Sequence, residues 1–496
     1  MTYTITQISQ LQNVIITKQI ITKYCKNLKY CVFDEKIRKF SLHYIKKGGI
    51  IIMKLNLIEL FSFKGVKNMD ILSVEVGGFR NITNVMLEFD SITALVGLNG
   101  YGKSNIIDAI DYGFDFIHLP SKVHQHMMSN KKCIPILKCN AGNNYSFDFV
   151  AHLKSRNKNY YVSYGFEFAW KTENHPAKIV NEHLNIKLDK KGQQYNSFII
   201  RNGDIARYRS SETGRCSKSI KIDNDSLVLT KLLAIDDLYY SDIINQIDST
   251  QYFIERHLDA SSSYVPDPFV IKGFQELELQ GIQSIPRAIY YLEKDYQDKY
   301  ELLKNAFMQL FPEIKDINVQ EFKLNQENKM NISDDAPFVF TDSIYSMSII
   351  DDRMIQPVNF ENLSDGAKRI FLMLTFAIIA DVKGLSLIAI EEPENSINPG
   401  LLQNYLDVLS QLINNCKIVI TSHSPYILQY LDPHSIYVGV CNEIGESTFS
   451  RIASKRINKL YKDASVYDKS VGDYIFNILS SSDPCEYLKD YLETNG

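Results

Sequence analysis

Paired cysteine is the first thing this sequence lacks. Its eight cysteines, at positions 25, 31, 133, 139, 216, 416, 441 and 485, never fall into a CxxC or Cys/His spacing. That argues against a zinc site and for free thiols in a reducing, cytoplasmic setting. Long apolar runs are missing as well. The most apolar early stretch, GGIIIMKLNLIELFSF, is interrupted by Lys54, Asn56 and Glu59. It is too short to span a bilayer and starts too late for a signal peptide, so no membrane association is expected. No heptad register persists over several repeats, which excludes a long coiled coil. Neither sign of charge dominates: 54 Lys/Arg face 58 Asp/Glu, a formal net charge of -4. The charge is nevertheless uneven along the chain. Residues 1–68 hold twelve Lys/Arg against three Asp/Glu and no glycine before Gly48, so this segment is +9 and the rest is -13. It reads as a basic extension outside the core, either an arm for an acidic partner or a dispensable lead-in.

What is present is an ordinary globular composition, 45% hydrophobic and 23% charged over 496 residues, enough for more than one lobe. Organised signal begins at Met69, with short β-like runs at 71–76, 84–88 and 92–96. Between 145 and 201 the period is two: Val162, Tyr164, Phe166, Phe168 and Trp170 share one face, as in an antiparallel meander with one buried side. From about 226 to 311 the period becomes helical. The last third returns to α/β, where LSLIAI (385–390) and KIVIT (417–421) are continuous apolar runs, expected for parallel strands buried on both faces. Ligands of such sheets bind at the C-terminal strand tips.

Four motifs face that edge. GLNGYGKS, residues 97–104, fits the phosphate-loop pattern G-x-x-x-x-G-K-[ST], between an apolar strand ITALV and an amphipathic helix. Backbone N–H groups of Gly97, Leu98, Asn99, Gly100, Tyr101 and Gly102 would curl around phosphates. Lys103 would reach the outer ones, Ser104 would bind Mg2+, and Asn105 opens the helix. Next, LIAIEEPENSINP ends a buried strand in two carboxylates. By order, Glu391 stands on the magnesium side and Glu392 as the general base. VITSHSP places His423 at the next strand tip, where an imidazole could contact a terminal phosphate. Finally, NLSDGAKRI precedes an apolar helix: Ser364 is an N-cap, and with Gly366 it leaves N–H groups for an anion. Each has a bland reading alone, a glycine turn, solvated acids, a structural histidine or a capped helix. Their order is what carries the argument.

In that order the set resembles the ATP-binding-cassette ATPases, specifically the soluble branch with RecF, the SMC-type heads and the OLD-like ATPases of phage-defence systems such as Septu, PARIS and the retron-associated ATPases. LSDGAKR is similar to the signature motif, EEPENSINP to the Walker B and D-loop segment, and TSHSP to the histidine switch. GFRNITNVMLEF is similar to the opening hairpin of the RecF and OLD branch, which would bring Phe79 or Arg80 near the nucleotide. The resemblance implies an α/β fold: a P-loop NTPase of ABC type with an antiparallel β subdomain and a helical insert between P-loop and signature. On that plan, residues 69–225 form the N-lobe and 226–345 a mainly helical insert. Residues 346–440 form the C-lobe and 441–496 a tail.

The resemblance also implies ATP and Mg2+ as ligands and a homodimer, or a higher even oligomer. Each nucleotide would lie between one copy's phosphate loop and Ser364 and Gly366 of another. Two departures stand out. Many such ATPases carry Asp at the position of Glu391, and no glutamine in the central region has the setting of the usual glutamine loop. The 73 residues after His423 also lack the clustered acids of an appended TOPRIM nuclease. The leading expectation is therefore the sensor ATPase of an anti-phage system, acting with a separate HNH or TOPRIM effector nuclease. The alternative is a RecF-like ATPase that binds DNA or another nucleic acid when ATP-loaded, using the basic stretch RIASKRINKLYK. A transporter ATPase ranks last.

Overall fold

The computed structural model describes residues 69–493 apart from 236, 257–259, 261, 273–276, 278–284, 325–335, 337 and 414–415, together with the backbone of strands Tyr30–Phe33, Phe40–Lys46 and Gly49–Leu55. The charge of the 1–68 extension, and with it the proposed arm, lies outside the described residues. Two compact units are present. The smaller comprises residues 1–65, 269–275 and 326–341. It contains an antiparallel sheet of the three early strands and a second antiparallel pair, Phe269–Ile271 with Phe338–Phe340.

The larger unit is built on a sheet of 14 described strands. In chain order these are β1 (Asp70–Phe79), β2 (Ile82–Glu88), β3 (Ile92–Val96), β4 (Tyr145–Ser155), β5 (Lys158–Ala169), β6 (Lys178–Leu188), β7 (Asn196–Asn202), β8 (Ile205–Tyr208), β9 (Lys218–Ile220), β10 (Tyr252–Glu255), β11 (Leu387–Glu391), β12 (Lys417–Ser422), β13 (Ile436–Cys441) and β14 (Ser447–Arg451). The spatial order is β9-β8-β7-β6-β5-β4-β1-β2-β14-β13-β3-β12-β11-β10. One end is antiparallel, from β9 through β2; the other, β13-β3-β12-β11-β10, is parallel throughout. Composition explains the division. Every residue of β3 is buried, as are Leu387 to Ile390 of β11, so both faces are covered. In β4, by contrast, the inward Tyr145, Phe147, Phe149, Ala151 and Leu153 alternate with more exposed neighbours. That alternation leaves one face for the core and one for water.

The main helices are α1 (Lys103–His118), α2 (Ile285–Asp295), α3 (Gln297–Leu310), α4 (Asp365–Lys383), α5 (Pro399–Leu412), α6 (Pro425–Tyr430), α7 (Ile457–Val466), α8 (Val471–Leu479) and α9 (Pro484–Leu488). Helix α1 lies on the apolar face of the meander, where Phe114 and Phe116 meet Phe147 and Phe166 with ring centroids 5.1 and 4.8 Å apart. Helix α4 is buried almost all round from Ala367 to Ala380, and it ends at Gly384 in the left-handed conformation, φ 73°.

Two stretches carry strands that the sequence did not suggest. The stretch 226–345, expected to be mainly helical, also supplies β10, the edge strand beside β11, and Ile314–Lys323, which pairs antiparallel with Ser343–Asp351. A four-residue run such as YFIE is too short for periodicity to tell strand from helix. Residues 441–496 are more than a tail: β14 sits inside the sheet between β2 and β13. Its STFSR sequence is largely polar and gives no strand signal, and only its neighbours make it one.

Gly113 sets how closely α1 approaches the meander, because a Cβ there would fall 2.0 Å from Cδ2 of Phe147. Gly113→Ala is therefore expected to destabilise the protein by about 1–3 kcal/mol through overpacking, measured by urea unfolding. An unchanged midpoint would show that the helix can yield.

Candidate active site

Because β3, β12, β11 and β10 are parallel, their C-terminal ends share one edge of the sheet. Register aligns them: Val96 lies opposite Ser422, Glu391 opposite Thr421, and Glu255 opposite Ile390. The 97–104 loop, the Glu391–Glu392 pair and His423 therefore leave neighbouring strand ends.

In the loop, Gly100 and Gly102 take φ values of 82° and 86°, a region that side chains disfavour. The Tyr101 N–H donates to the Leu98 carbonyl at 3.3 Å, and the Gly102 carbonyl accepts from Ile106 at 3.0 Å as α1 begins. Asn99 and Gly100 are exposed. Asn105 turns away from the loop: its Nδ2 donates to Asn81 Oδ1 at 2.6 Å and its Oδ1 accepts from Arg80 Nη1 at 2.6 Å. Its side chain thus joins α1 to the β1–β2 hairpin.

Lys103 is buried and donates to the carbonyls of Gly97 (2.8 Å) and Leu98 (3.1 Å), with His423 Nδ1 at 3.3 Å. An ammonium can only donate, so a hydrogen bond between the two has Nδ1 as its acceptor. Nε2 lies 2.8 Å from Glu392 Oε1, and Asn395 Nδ2 donates to Glu392 Oε2 at 2.9 Å. A single chain of contacts therefore runs from the lysine through the imidazole to the carboxylate. Burial lowers the Lys103 ammonium below its ordinary pKa, against the opposing pull of Glu392, Glu394 and Glu391. Burial pushes Glu392 upward, but Asn395, His423 and Lys103 together outweigh it and hold this carboxyl below its ordinary value. Glu392 adopts φ 49° while its N–H still donates to Thr421 at 2.9 Å, so the backbone bends sharply just as the strand ends.

Glu391 differs from its neighbour. Burial raises its carboxyl above the ordinary range, opposed by a hydrogen bond with Ser104 and by Arg256. Its Oε1 is buried and without a hydrogen-bond partner. An orphaned carboxylate oxygen beside a serine hydroxyl fits a hard divalent cation that prefers oxygen ligands. Among the described residues there is no cluster of three or more His, Cys, Asp or Glu able to hold a metal. Phosphate oxygens and water would therefore complete the shell, as Mg2+ favours.

Asp108 and Arg256 had no motif to announce them, and Glu394 was not singled out within EEPENSINP. Glu394 Oε1 accepts from the buried Ser422 hydroxyl at 2.5 Å, fixing the strand end that carries His423. Asp108, one turn beyond Ser104, accepts from Arg80 Nη1 at 2.6 Å on one oxygen and from Arg256 Nε at 2.9 Å on the other. Arg256 also reaches Asp111 at 2.8 Å. Arg80 itself sits at φ 48°, 5.1 Å over the Phe79 ring. The strand flanking β11 thus carries Glu255 and Arg256 at its tip. A charged pair after an apolar run was the only sequence signal.

Ser364 and Gly366 stand at the start of α4. Ser364 is exposed and caps α4, accepting from the Ala367 N–H at 3.3 Å. Asp365 pairs with Lys368 at 2.9 Å. A Cβ at Gly366 would fall 2.5 Å from the Ser396 carbonyl, so this glycine lets the capped turn pack against the 392–398 segment. Among the described residues, no hydrogen bond joins Ser364 or Gly366 to the 97–104 loop of the same chain.

A family model described as "AAA domain, putative AbiEii toxin, Type IV TA system" matches residues 92–429, more than half the chain. No curated protein matches. Among solved structures, an SMC head bound to the C-winged helix domain of ScpA aligns with 13% identity and a TM-score of 0.43, over 78% of this chain and 99% of that one. The SMC head domain from Thermotoga maritima aligns with 12% identity and a TM-score of 0.37, over 78% and 100%. A Pyrococcus furiosus SMC head with an extended coiled coil, bound to the C-terminal domain of ScpA, gives 11% and 0.37, over 80% and 100%. At these scores nothing about activity or partners transfers.

Asp108→Ala removes the one acceptor that two arginines share. Its expected cost is about 1–3 kcal/mol in urea unfolding, the range for hydrogen bonds to charged groups. A loss no larger than that of an exposed aspartate would mean the arginines find other partners.

Proposed function

The chain belongs to this AAA-domain family, and from that premise we propose that it binds ATP with Mg2+ and hydrolyses it at the strand edge around residues 97–104. The observation that carries the reading is the Lys103–His423–Glu392 chain, which joins the phosphate loop to two other strand ends. Lys103 is already held by carbonyl oxygens at the loop, and a phosphate would compete for the same ammonium. Glu392 stays anionic near neutrality and so can orient a water and accept its proton. His423, whose Nε2 lies 2.8 Å from Glu392 Oε1, holds that carboxylate in place. Ser104 and Glu391 are the residues that would hold Mg2+, whose chemistry there is to neutralise charge on phosphate oxygens.

A second copy completes the site. Ser364 caps a helix start that faces solvent, and an exposed N-terminus attracts anions. A chain with one phosphate loop and one such helix start, which no hydrogen bond joins among the described residues, is suited to a symmetric dimer with two composite sites, or to a higher even oligomer. The family's description names a toxin of a Type IV toxin–antitoxin system. That supports a two-component arrangement, and we place this ATPase as the sensor of a bacterial anti-phage system that controls a separate effector nuclease of HNH or TOPRIM type. The DNA-clamp alternative has less support. In the basic 451–462 stretch, Arg451 pairs with Glu88 at 2.7 Å, Arg456 donates to the Asp490 carbonyl at 3.1 Å, and Lys459 pairs with Asp490 at 2.7 Å. Two of the stretch's five basic side chains, Arg451 and Lys459, are thus ion-paired within the chain.

Equilibrium binding and steady-state hydrolysis test the core of this reading. Lys103→Ala should abolish ATP binding. Glu392→Gln should bind ATP, lose about 10²–10⁴-fold in turnover, the usual contribution of a general base, and accumulate as an ATP-bound dimer. Turnover of Glu392→Gln at the wild-type rate would remove Glu392 as the base. Ser364→Arg tests the composite site: light scattering should show ATP binding retained with dimerisation and hydrolysis lost, and an active Ser364→Arg protein would reduce the segment to a capped helix.

A further inference from the structure

Helix α8 lies in the C-terminal segment, outside the nucleotide motifs, yet both its ends rest on them. At its C-terminal end the Tyr101 hydroxyl donates to the Leu479 carbonyl at 3.4 Å. Leu479 is the last residue of α8, and a helix end leaves its final carbonyls without intrahelical donors. The phenol satisfies one of them. Tyr101 has the largest side chain of the 97–104 loop, and it packs against the apolar core. Cys441 at the end of β13 and Cys485 in α9 are close enough to act on its phenol, which burial raises above its ordinary pKa. At the other end, Gly472 is the second residue of α8. A Cβ there would stand 2.0 Å from the Pro425 carbonyl oxygen and 3.1 Å from the Pro425 Cα. Pro425 opens α6 two residues after His423. The N-terminal end of α8 is itself fixed, since Ser470 accepts from the Asp473 N–H at 3.1 Å. Between these ends, Ile475 and Leu479 are buried.

A nine-residue helix therefore bears on the switch turn with its first turn and on the phosphate loop with its last. We propose that Tyr101 is a positioning residue and that α8 is a strut coupling the 97–104 loop to the His423 turn, so that the C-terminal helices respond to nucleotide. The inference rests on the reading of 97–104 as an ATP site. Coupling of this kind is reciprocal: whatever ATP does to α8, a change in α8 does to ATP affinity.

Amide hydrogen exchange of the full chain with and without Mg-ATP tests it, alongside ATP affinity measured on the same samples. In the wild-type protein, ATP should slow exchange within 471–479. Tyr101→Phe removes only the hydroxyl. It should weaken ATP binding by about fivefold, the equivalent of one neutral hydrogen bond, and lose the ATP-dependent slowing in α8. Gly472→Ala drives a methyl group into Pro425 and should weaken ATP binding with Tyr101 intact; if that protein fails to fold, Tyr101→Phe still decides. A simple packing role for Tyr101 would alter exchange equally with and without ATP. Wild-type protein that binds ATP without any change in 471–479, or a Tyr101→Phe protein that keeps the full response, overturns the strut. Wild-type protein that binds no ATP overturns the nucleotide site instead.

Discussion

Parallel pairing of β3, β12 and β11 is the constraint on which the rest of this molecule depends. With Val96 opposite Ser422 and Glu391 opposite Thr421, three loops start from adjacent strand ends and must share one small volume. A shift of one residue would turn each strand's side chains to the other face and separate Lys103, His423 and Glu392. The register is held by apolar side chains packed on both faces, so the core that stabilises the sheet is also what brings the polar groups together.

Confining a lysine and three carboxylates at one edge has electrostatic consequences. Burial raises Glu391 and Glu394, whereas hydrogen bonds to Asn395 and His423 pull Glu392 down. Adjacent acids in different surroundings acquire different chemistry, which is how two carboxylates come to hold separate roles at one pH. The backbone contributes as well. Glu392 and Ser396 both adopt positive φ, 49° and 66°, within a segment anchored by Ser422 on one side and packed against Gly366 on the other. Strain of this sort persists only where the surroundings over-determine it.

Much of the fold was legible from period alone. Continuous apolar runs marked the parallel strands, and alternation marked the meander, because burial on two faces or one leaves a direct trace in sequence. The phosphate loop was legible too, since glycines at fixed spacing before Lys103 and Ser104 reflect backbone geometry local to eight residues. The edge strand β10 and the inner strand β14 were not, being four or five residues long with polar members. Nor were Asp108 and Arg256: the hairpin's resemblance pointed to Arg80, but that one carboxylate accepts from two arginines contributed by distant segments could not be read from any of them alone.

The sequence by itself determined which local elements exist: a phosphate loop, a strand ending in two acids, a histidine after the next strand and a capped helix at 364. Tertiary structure decided what each of them touches. It placed His423 between Lys103 and Glu392, turned Asn105 toward Arg80 and Asn81, and put a glycine at 366 because a carbonyl stands where a side chain would be. Asn81 and Ser447, 366 positions apart, share a hydrogen bond of 2.7 Å. Contacts of that range follow from how the sheet closes on itself, and no window of sequence contains both partners.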